Sequence, residues 1–183
     1  MKLLLLDRDG VINRDSPEYV KSPGEWHALP GSLEAMARLS EAGWRLVIVT
    51  NQSGLGRGLF DLEDLGAMHT KMQEQLAELG GRVEAVFFCP HRPDEGCACR
   101  KPAPGLLLDI ARRFDTSLEG VPFVGDSLKD MEAARAVGAR PFLVRTGKGS
   151  ETEKALQAEN RSVETFDDLA AFAEALLAGK VDA

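Results

Sequence analysis

The chain has 183 residues, enough for one domain with a sizeable core and too few for two of ordinary size. Its 29 acidic and 22 basic residues give a formal charge of −7, which argues against nucleic acid or an anionic membrane surface as the main partner. With 44% hydrophobic and 28% charged residues the chain is not of the disordered class; it also has no signal-peptide hydrophobic region and no apolar run near the roughly 18 residues of a membrane span.

The first element predicted is a strand over Leu3–Leu6, fully apolar and ended abruptly by Asp7-Arg8-Asp9-Gly10, as a strand buried on both faces ends at a polar edge. A long irregular stretch, about Gly10 to Pro30, follows, and loops of that length in a compact domain are usually functional. A helix over Ser32–Ala42 stops at Gly43, and the second strand, Arg45–Thr50, runs into Thr50-Asn51-Gln52-Ser53. Gly54 to Gly58 reads as a mobile turn, since it lacks the spacing of a nucleotide-binding loop. A helix over Leu62–Leu79, a strand over Val83–Cys89, a helix over Pro104–Phe114, a strand over Val121–Gly125 and a helix over Leu128–Val137 come next. Pro141–Val144 is a weaker fifth strand; the tail, residues 150–183, carries helices near Glu151–Ala158 and Phe166–Leu177 that should pack on the sheet. Strands alternating with helices give an α/β fold, a Rossmann-like doubly wound parallel sheet within a single domain spanning residues 1–183. Ligands then bind beyond the carboxyl ends of the strands, where the polar clusters lie.

In an extended segment Asp7 and Asp9 share one side and Arg8 points away. Two carboxylates that close repel unless a cation sits between them, and a hard ion such as Mg²⁺ suits oxygen ligands and brings phosphate with it. Alone, the motif reads first as a polar strand end entering a turn. It gains weight from Asp126 at another strand end, Asp130 four residues on, the Thr50 hydroxyl and the Lys101 cation.

Cys89, Cys97 and Cys99, the only cysteines, combine with His91 in a C-x-H-x₅-C-x-C pattern spanning residues 89–99. An odd, clustered set is not a disulfide framework. It fits a four-ligand Zn²⁺ site, closed to substrate and structural in role, in a reducing and therefore cytoplasmic setting. Arg100-Lys101 follow at once, so a zinc-stapled loop would fix the residues that meet an anion. His27 and His69 have no such company and read as surface or packing residues. Arg14, Lys21, Arg57 and Arg92 are candidates for a second phosphate, or are simply solvated.

Asp7-Arg8-Asp9-Gly10, Val49-Thr50-Asn51, Lys101 and Gly125-Asp126-Ser127-Leu128-Lys129-Asp130 together resemble, in order, the motifs of the haloacid dehalogenase superfamily of phosphatases. The resemblance implies Asp7 as nucleophile, Asp9 as general acid and base, and Thr50 and Lys101 holding the phosphoryl oxygens, assisted by N–H groups of the Asn51–Ser53 turn. It implies Mg²⁺ on Asp7, the Asp9 carbonyl and Asp126. The zinc loop narrows it to a branch acting on heptose 1,7-bisphosphate or histidinol phosphate. Asp7 to Asn13, Thr50 to Gly54, Arg57-Gly58, Cys99 to Pro102 and Arg145 to Gly149 are most similar to the heptose members, which implies removal of a sugar 7-phosphate in building lipopolysaccharide or related glycans. The spacing of five between His91 and Cys97 also occurs in histidinol phosphatases. Substrate contacts are implied for Asp15, Ser16, Pro17, Glu18 and Tyr19 and for Thr50, Asn51, Gln52 and Ser53, which would line the sugar pocket, and for Arg100, Lys101 and Ser127. No separate cap domain is expected; a monomer is expected, with a small sugar phosphate as its partner. The rival from another class is a non-catalytic, zinc-stabilised binding module on the same fold.

Overall fold

The Leu3–Leu6 run forms β1, and the next strands are β2 (Arg45–Asn51), β3 (Ala85–Cys89), β4 (Pro122–Gly125), β5 (Arg140–Val144) and β6 (Glu164–Phe166). The structure is a computed structural model and describes residues 1–181. All six strands are parallel, in the order β3-β2-β1-β4-β5-β6. The chain therefore winds outward from β1 in both directions, and the crevice where the order reverses lies between β1 and β4, beyond Asp7 and Asp126.

Side chains alternate across the pleat, and both faces are covered. Leu4, Leu6, Ile48, Val124, Phe142 and Val144 face one core layer, built with α1 (Ser32–Glu41), α3 (Leu62–Glu78) and α7 (Leu169–Leu177). Leu3, Leu5, Val47, Val49 and Phe123 face the other, built with α4 (Gly105–Phe114) and α5 (Leu128–Ala136). A smaller cluster joins Leu156 of α6 (Gly149–Ala158) to Met131 and Leu143.

Two expectations change here. Phe166 does not start the last helix but ends β6, because its ring closes a cluster with Phe142 and Phe172 at centroid distances of 6.2 and 5.5 Å. The segment expected as a mobile turn contains a one-turn helix, α2 (Ser53–Gly56), whose Gly54 lies so tightly on Phe60 that a Cβ would collide with the ring. Residues 10–30 are irregular but anchored. Val11, Ile12, Val20 and Trp26 are buried, and the Lys71 ammonium donates to the carbonyls of Pro23 and Trp26, both at 2.7 Å. No separate cap is present among the described residues.

Candidate active site

Asp7 leaves β1 at its carboxyl end, where its N–H still bonds the Val124 carbonyl at 2.9 Å. Gly10, at φ +84°, then turns the chain back; a Cβ there would strike Asp126 Oδ2. Asp126 leaves β4, and Ser127 caps α5 through a reciprocal pair of hydrogen bonds with Asp130, which puts Asp130 one turn inside the helix and facing the crevice. Lys101 arrives from the loop after β3. Asn51 clamps its peptide by accepting from Lys101 N–H and donating to Lys101 C=O, each at 3.0 Å.

These segments bring carboxylate oxygens of Asp7, Asp126 and Asp130 within 4.8 Å of one another. The Lys101 ammonium, 2% exposed, lies 2.9 Å from Asp7 Oδ1 and 2.7 Å from Asp130 Oδ1, and donates to the Val49 carbonyl at 2.7 Å. Burial alone would discharge the lysine, but Asp130 and Asp7 outweigh it and hold it protonated. Three buried carboxylates against one ammonium leave an excess of negative charge. Burial, then Asp130, pushes Asp126 up to about 7, and burial with the same neighbour raises Asp7 well above the carboxylate range. Buried oxygen ligands with surplus negative charge are the donor set a hard divalent cation takes.

Asp9 is held differently. Its carboxylate accepts from Arg8 Nη2 at 2.9 Å, Asn13 Nδ2 at 2.9 Å and Gln52 Nε2 at 2.9 Å, and stands outside the carboxylate trio. Burial works to raise its pKa, but the Arg8 guanidinium and these donors prevail and lower it. Arg8 points away from Asp7, as strand alternation predicts, onto the Leu4/Leu6 face, where its fully buried guanidinium meets His69 of α3 and also reaches Asp9.

A cleft of about 560 Å³ opens above this constellation. Asp7, Asp9, Lys101 and Asp126 line it, as do the expected contacts Asp15, Ser16, Pro17, Tyr19, Asn51, Gln52, Ser53, Arg100 and Ser127. Glu18 and Thr50 do not: Glu18 is exposed elsewhere, and Thr50 is fully buried with its hydroxyl accepting from Gln52 Nε2 at 2.9 Å. The Asn51–Ser53 turn has one donor fewer than expected, because Gln52 N–H bonds the Cys89 carbonyl at 2.8 Å. Of the basic candidates only Arg57 reaches the cleft, while Lys129 and Lys148, given no role from sequence, join its wall. Lys148 N–H bonds Asp126 Oδ2 at 2.8 Å and the Thr146 hydroxyl bonds the Gly10 carbonyl at 2.7 Å, so residues 145–149 brace the carboxylate turn. Thr146-Gly147-Lys148-Gly149 was legible only as part of a family-like motif. Asp130 had a local signal, its place one turn past Asp126, but its pairing with Lys101 is a tertiary contact.

The zinc-loop residues also meet. The Sγ atoms of Cys89, Cys97 and Cys99 and Nδ1 of His91 lie within 4.8 Å of one another, with pair distances of 3.1 to 3.6 Å. Tetrahedral zinc with bonds of about 2.0–2.3 Å sets donor edges of roughly 3.5–3.8 Å, so the cluster fits zinc with little adjustment. Burial pushes the Cys89 thiol up to about 12; at Cys97 burial is outweighed by the Arg100 N–H and the neighbouring thiols, which bring it to about 7. His27 is exposed and His69 is buried against Arg8.

Comparison with known proteins agrees with this geometry. A family model described as HAD-hydrolase-like matches residues 98–172. The D-glycero-β-D-manno-heptose-1,7-bisphosphate 7-phosphatase of Bordetella bronchiseptica is 58% identical over 177 residues, covering 97% of this chain and 98% of the relative. The protein of the same name from Pseudomonas aeruginosa is 54% identical, covering 96% and 97%. The crystal structure of the B. bronchiseptica D,D-heptose 1,7-bisphosphate phosphatase complexed with magnesium and phosphate superposes with a TM-score of 0.93 at 57% identity, covering 98% and 99%.

Proposed function

The chain belongs to the D-glycero-β-D-manno-heptose-1,7-bisphosphate 7-phosphatase family of HAD-like hydrolases, and from that membership we propose that it hydrolyses the 7-phosphate of this sugar bisphosphate through an aspartyl-phosphate intermediate. The observation that carries the mechanism is the buried Lys101 ammonium locked between Asp7 and Asp130 with Asp126 alongside.

Asp7 Oδ1 accepts from Lys101 Nζ at 2.9 Å and from Arg8 N–H at 2.8 Å, which leaves Oδ2 as the attacking atom. Attack forms the Oδ2–P bond and breaks the bond from phosphorus to the sugar oxygen. Asp9 gives its proton to the departing oxygen, then takes one from the water that cleaves the aspartyl phosphate and restores Asp7. In the free site Asp9 is ionised; the negative charge of the incoming phosphate raises its pKa, so that it takes up a proton from solvent before the transfer. Lys101 and the donors lining the cleft hold the phosphoryl oxygens. Thr50 supports this from below by fixing Gln52, which in turn holds Asp9. Bound Mg²⁺ on Asp7, Asp126 and the Asp9 carbonyl would offset the charge of an anionic nucleophile meeting an anionic substrate.

Zn²⁺ on Cys89, His91, Cys97 and Cys99 would order the loop that delivers Arg100 and Lys101, a structural role with no open ligand position. We read the chain as one cytoplasmic domain acting as a monomer; no helix among the described residues is long and apolar enough to cross a membrane. Histidinol phosphate is not favoured, because relatives at 58% and 54% identity carry the heptose name. The test is Asp7→Asn: phosphate release in Mg²⁺ should vanish, and activity surviving at the original rate would remove the covalent mechanism.

A further inference from the structure

We propose that His69 is a positioning residue for catalysis, holding Arg8 so that Arg8 fixes the Asp9 carboxylate in the attitude from which it transfers protons. The inference rests on the reading of Asp9 as the acid and base.

A charged side chain with no exposure is rare unless its donors are all met, and Arg8 is 0% exposed. Its Nε and Nη2 lie 3.3 and 2.9 Å from Asp9 Oδ1, and its Nη1 lies 3.2 Å from His69 Nε2. Burial, then the guanidinium itself, holds the imidazole down to about 4, so it is neutral and offers Nε2 as an acceptor. The placement departs from what helix packing asks for. His69 sits on the inner stripe of α3 with Leu65, Met68, Met72 and Leu76, where a leucine would continue the apolar face. The same helix pins the loop after Asp9 through Lys71, so His69 refers the guanidinium to a rigid element. Asn13 and Gln52 complete the grip on Asp9, but Arg8 is the one charged partner among them. Without an acceptor at position 69, a buried Nη1 is left without a partner and the guanidinium must tilt to find another, taking Asp9 with it.

The test compares His69→Leu with His69→Gln, whose amide oxygen restores an acceptor. On heptose 1,7-bisphosphate, His69→Leu should lose at least about tenfold in kcat, a part of the 10²–10⁴ that general acid catalysis supplies, with KM within about twofold. First-turnover release of p-nitrophenol from p-nitrophenyl phosphate, whose leaving group needs no proton, should stay within about twofold of wild type. His69→Gln should return most of the kcat. Thermal unfolding checks that each variant folds, and where leucine does not, His69→Asn, too short to reach Arg8, takes its place with the same expectation. Equal losses on both substrates, an unchanged kcat, or no recovery with glutamine overturns the role of His69. Asp9→Asn, run in parallel, separates the two ideas: if it keeps the wild-type rate on the sugar bisphosphate, the acid-base reading itself fails.

Discussion

Withdrawing the divalent cation should make the stability of this protein depend on pH in a specific direction. Asp126 is raised from 3.8 to about 7, first by burial and then by Asp130. A carboxyl whose folded pKa exceeds its unfolded one favours folding while protonated. That contribution is fully present below about 3.8 and is lost as pH rises through about 7, the two values that bound the shift. About three units at roughly 1.4 kcal/mol each is about 4 kcal/mol, and at about 2–4 °C per kcal/mol for a chain of this size the melting temperature should fall by roughly 8–16 °C across the window. Asp7, raised by burial and the same neighbour, adds to the fall. Mg²⁺ binds the ionised carboxylates, so its stabilising effect should grow over the same range. The assay is thermal unfolding of zinc-loaded protein at a series of pH values from about 5 to 8 with and without Mg²⁺, the range chosen to bracket the upper part of the transition. Asp126→Asn serves as the control that removes the titrating group and should flatten the metal-free slope. A metal-free melting temperature that does not fall with pH, or equal stabilisation by Mg²⁺ at both ends, would refute the reasoning.

Lys101→Met keeps the volume but strips Asp7 and Asp130 of their cation; folding free energy should fall by about 3–5 kcal/mol in Mg²⁺-free denaturant titrations, and kcat by at least about 10²-fold. In Gly10→Ala the new Cβ has a positive φ and meets Asp126 Oδ2, so calorimetric titration should find Mg²⁺ binding weakened by about tenfold or more; unchanged affinity would contradict the packing of that turn. Wild-type protein should carry about one equivalent of zinc by elemental analysis, and Cys99→Ser should lose it together with most of the activity, because Lys101 follows the loop directly.

The sheet was legible in the sequence because its central strands are continuous apolar runs that end in carboxylates or in Thr50, and those endings marked the catalytic edge. The edge strand β6 was not, because three residues, Glu164–Phe166, carry too little pattern, and Phe166 is drawn into it by aromatic packing with Phe142 and Phe172. Cap residues were readable as chemistry but not as structure: Ser127 was expected at substrate, and its hydroxyl also donates to Asp130 at 2.8 Å. The Cys89, His91, Cys97 and Cys99 cluster was legible because its members are close in sequence, and the structure brings their donor atoms within 4.8 Å of one another. Asp130, Lys148 and His69 could not be read in this way, because they meet the site only through contacts with Lys101, Asp126 and Arg8, which lie far away along the chain. Alternation holds only while the chain is extended: β1 ends at Leu6, and Asp9, two residues past Asp7, is turned toward Arg8, Asn13 and Gln52 and stands outside the carboxylate trio.

The most direct measurement is ³¹P NMR of D-glycero-β-D-manno-heptose 1,7-bisphosphate incubated with the enzyme and Mg²⁺. The 7-phosphate resonance should give way to inorganic phosphate while the 1-phosphate resonance persists, and Asp7→Asn should leave both untouched. Loss of the 1-phosphate first, turnover by Asp7→Asn, or faster hydrolysis of histidinol phosphate under the same conditions would contradict the account.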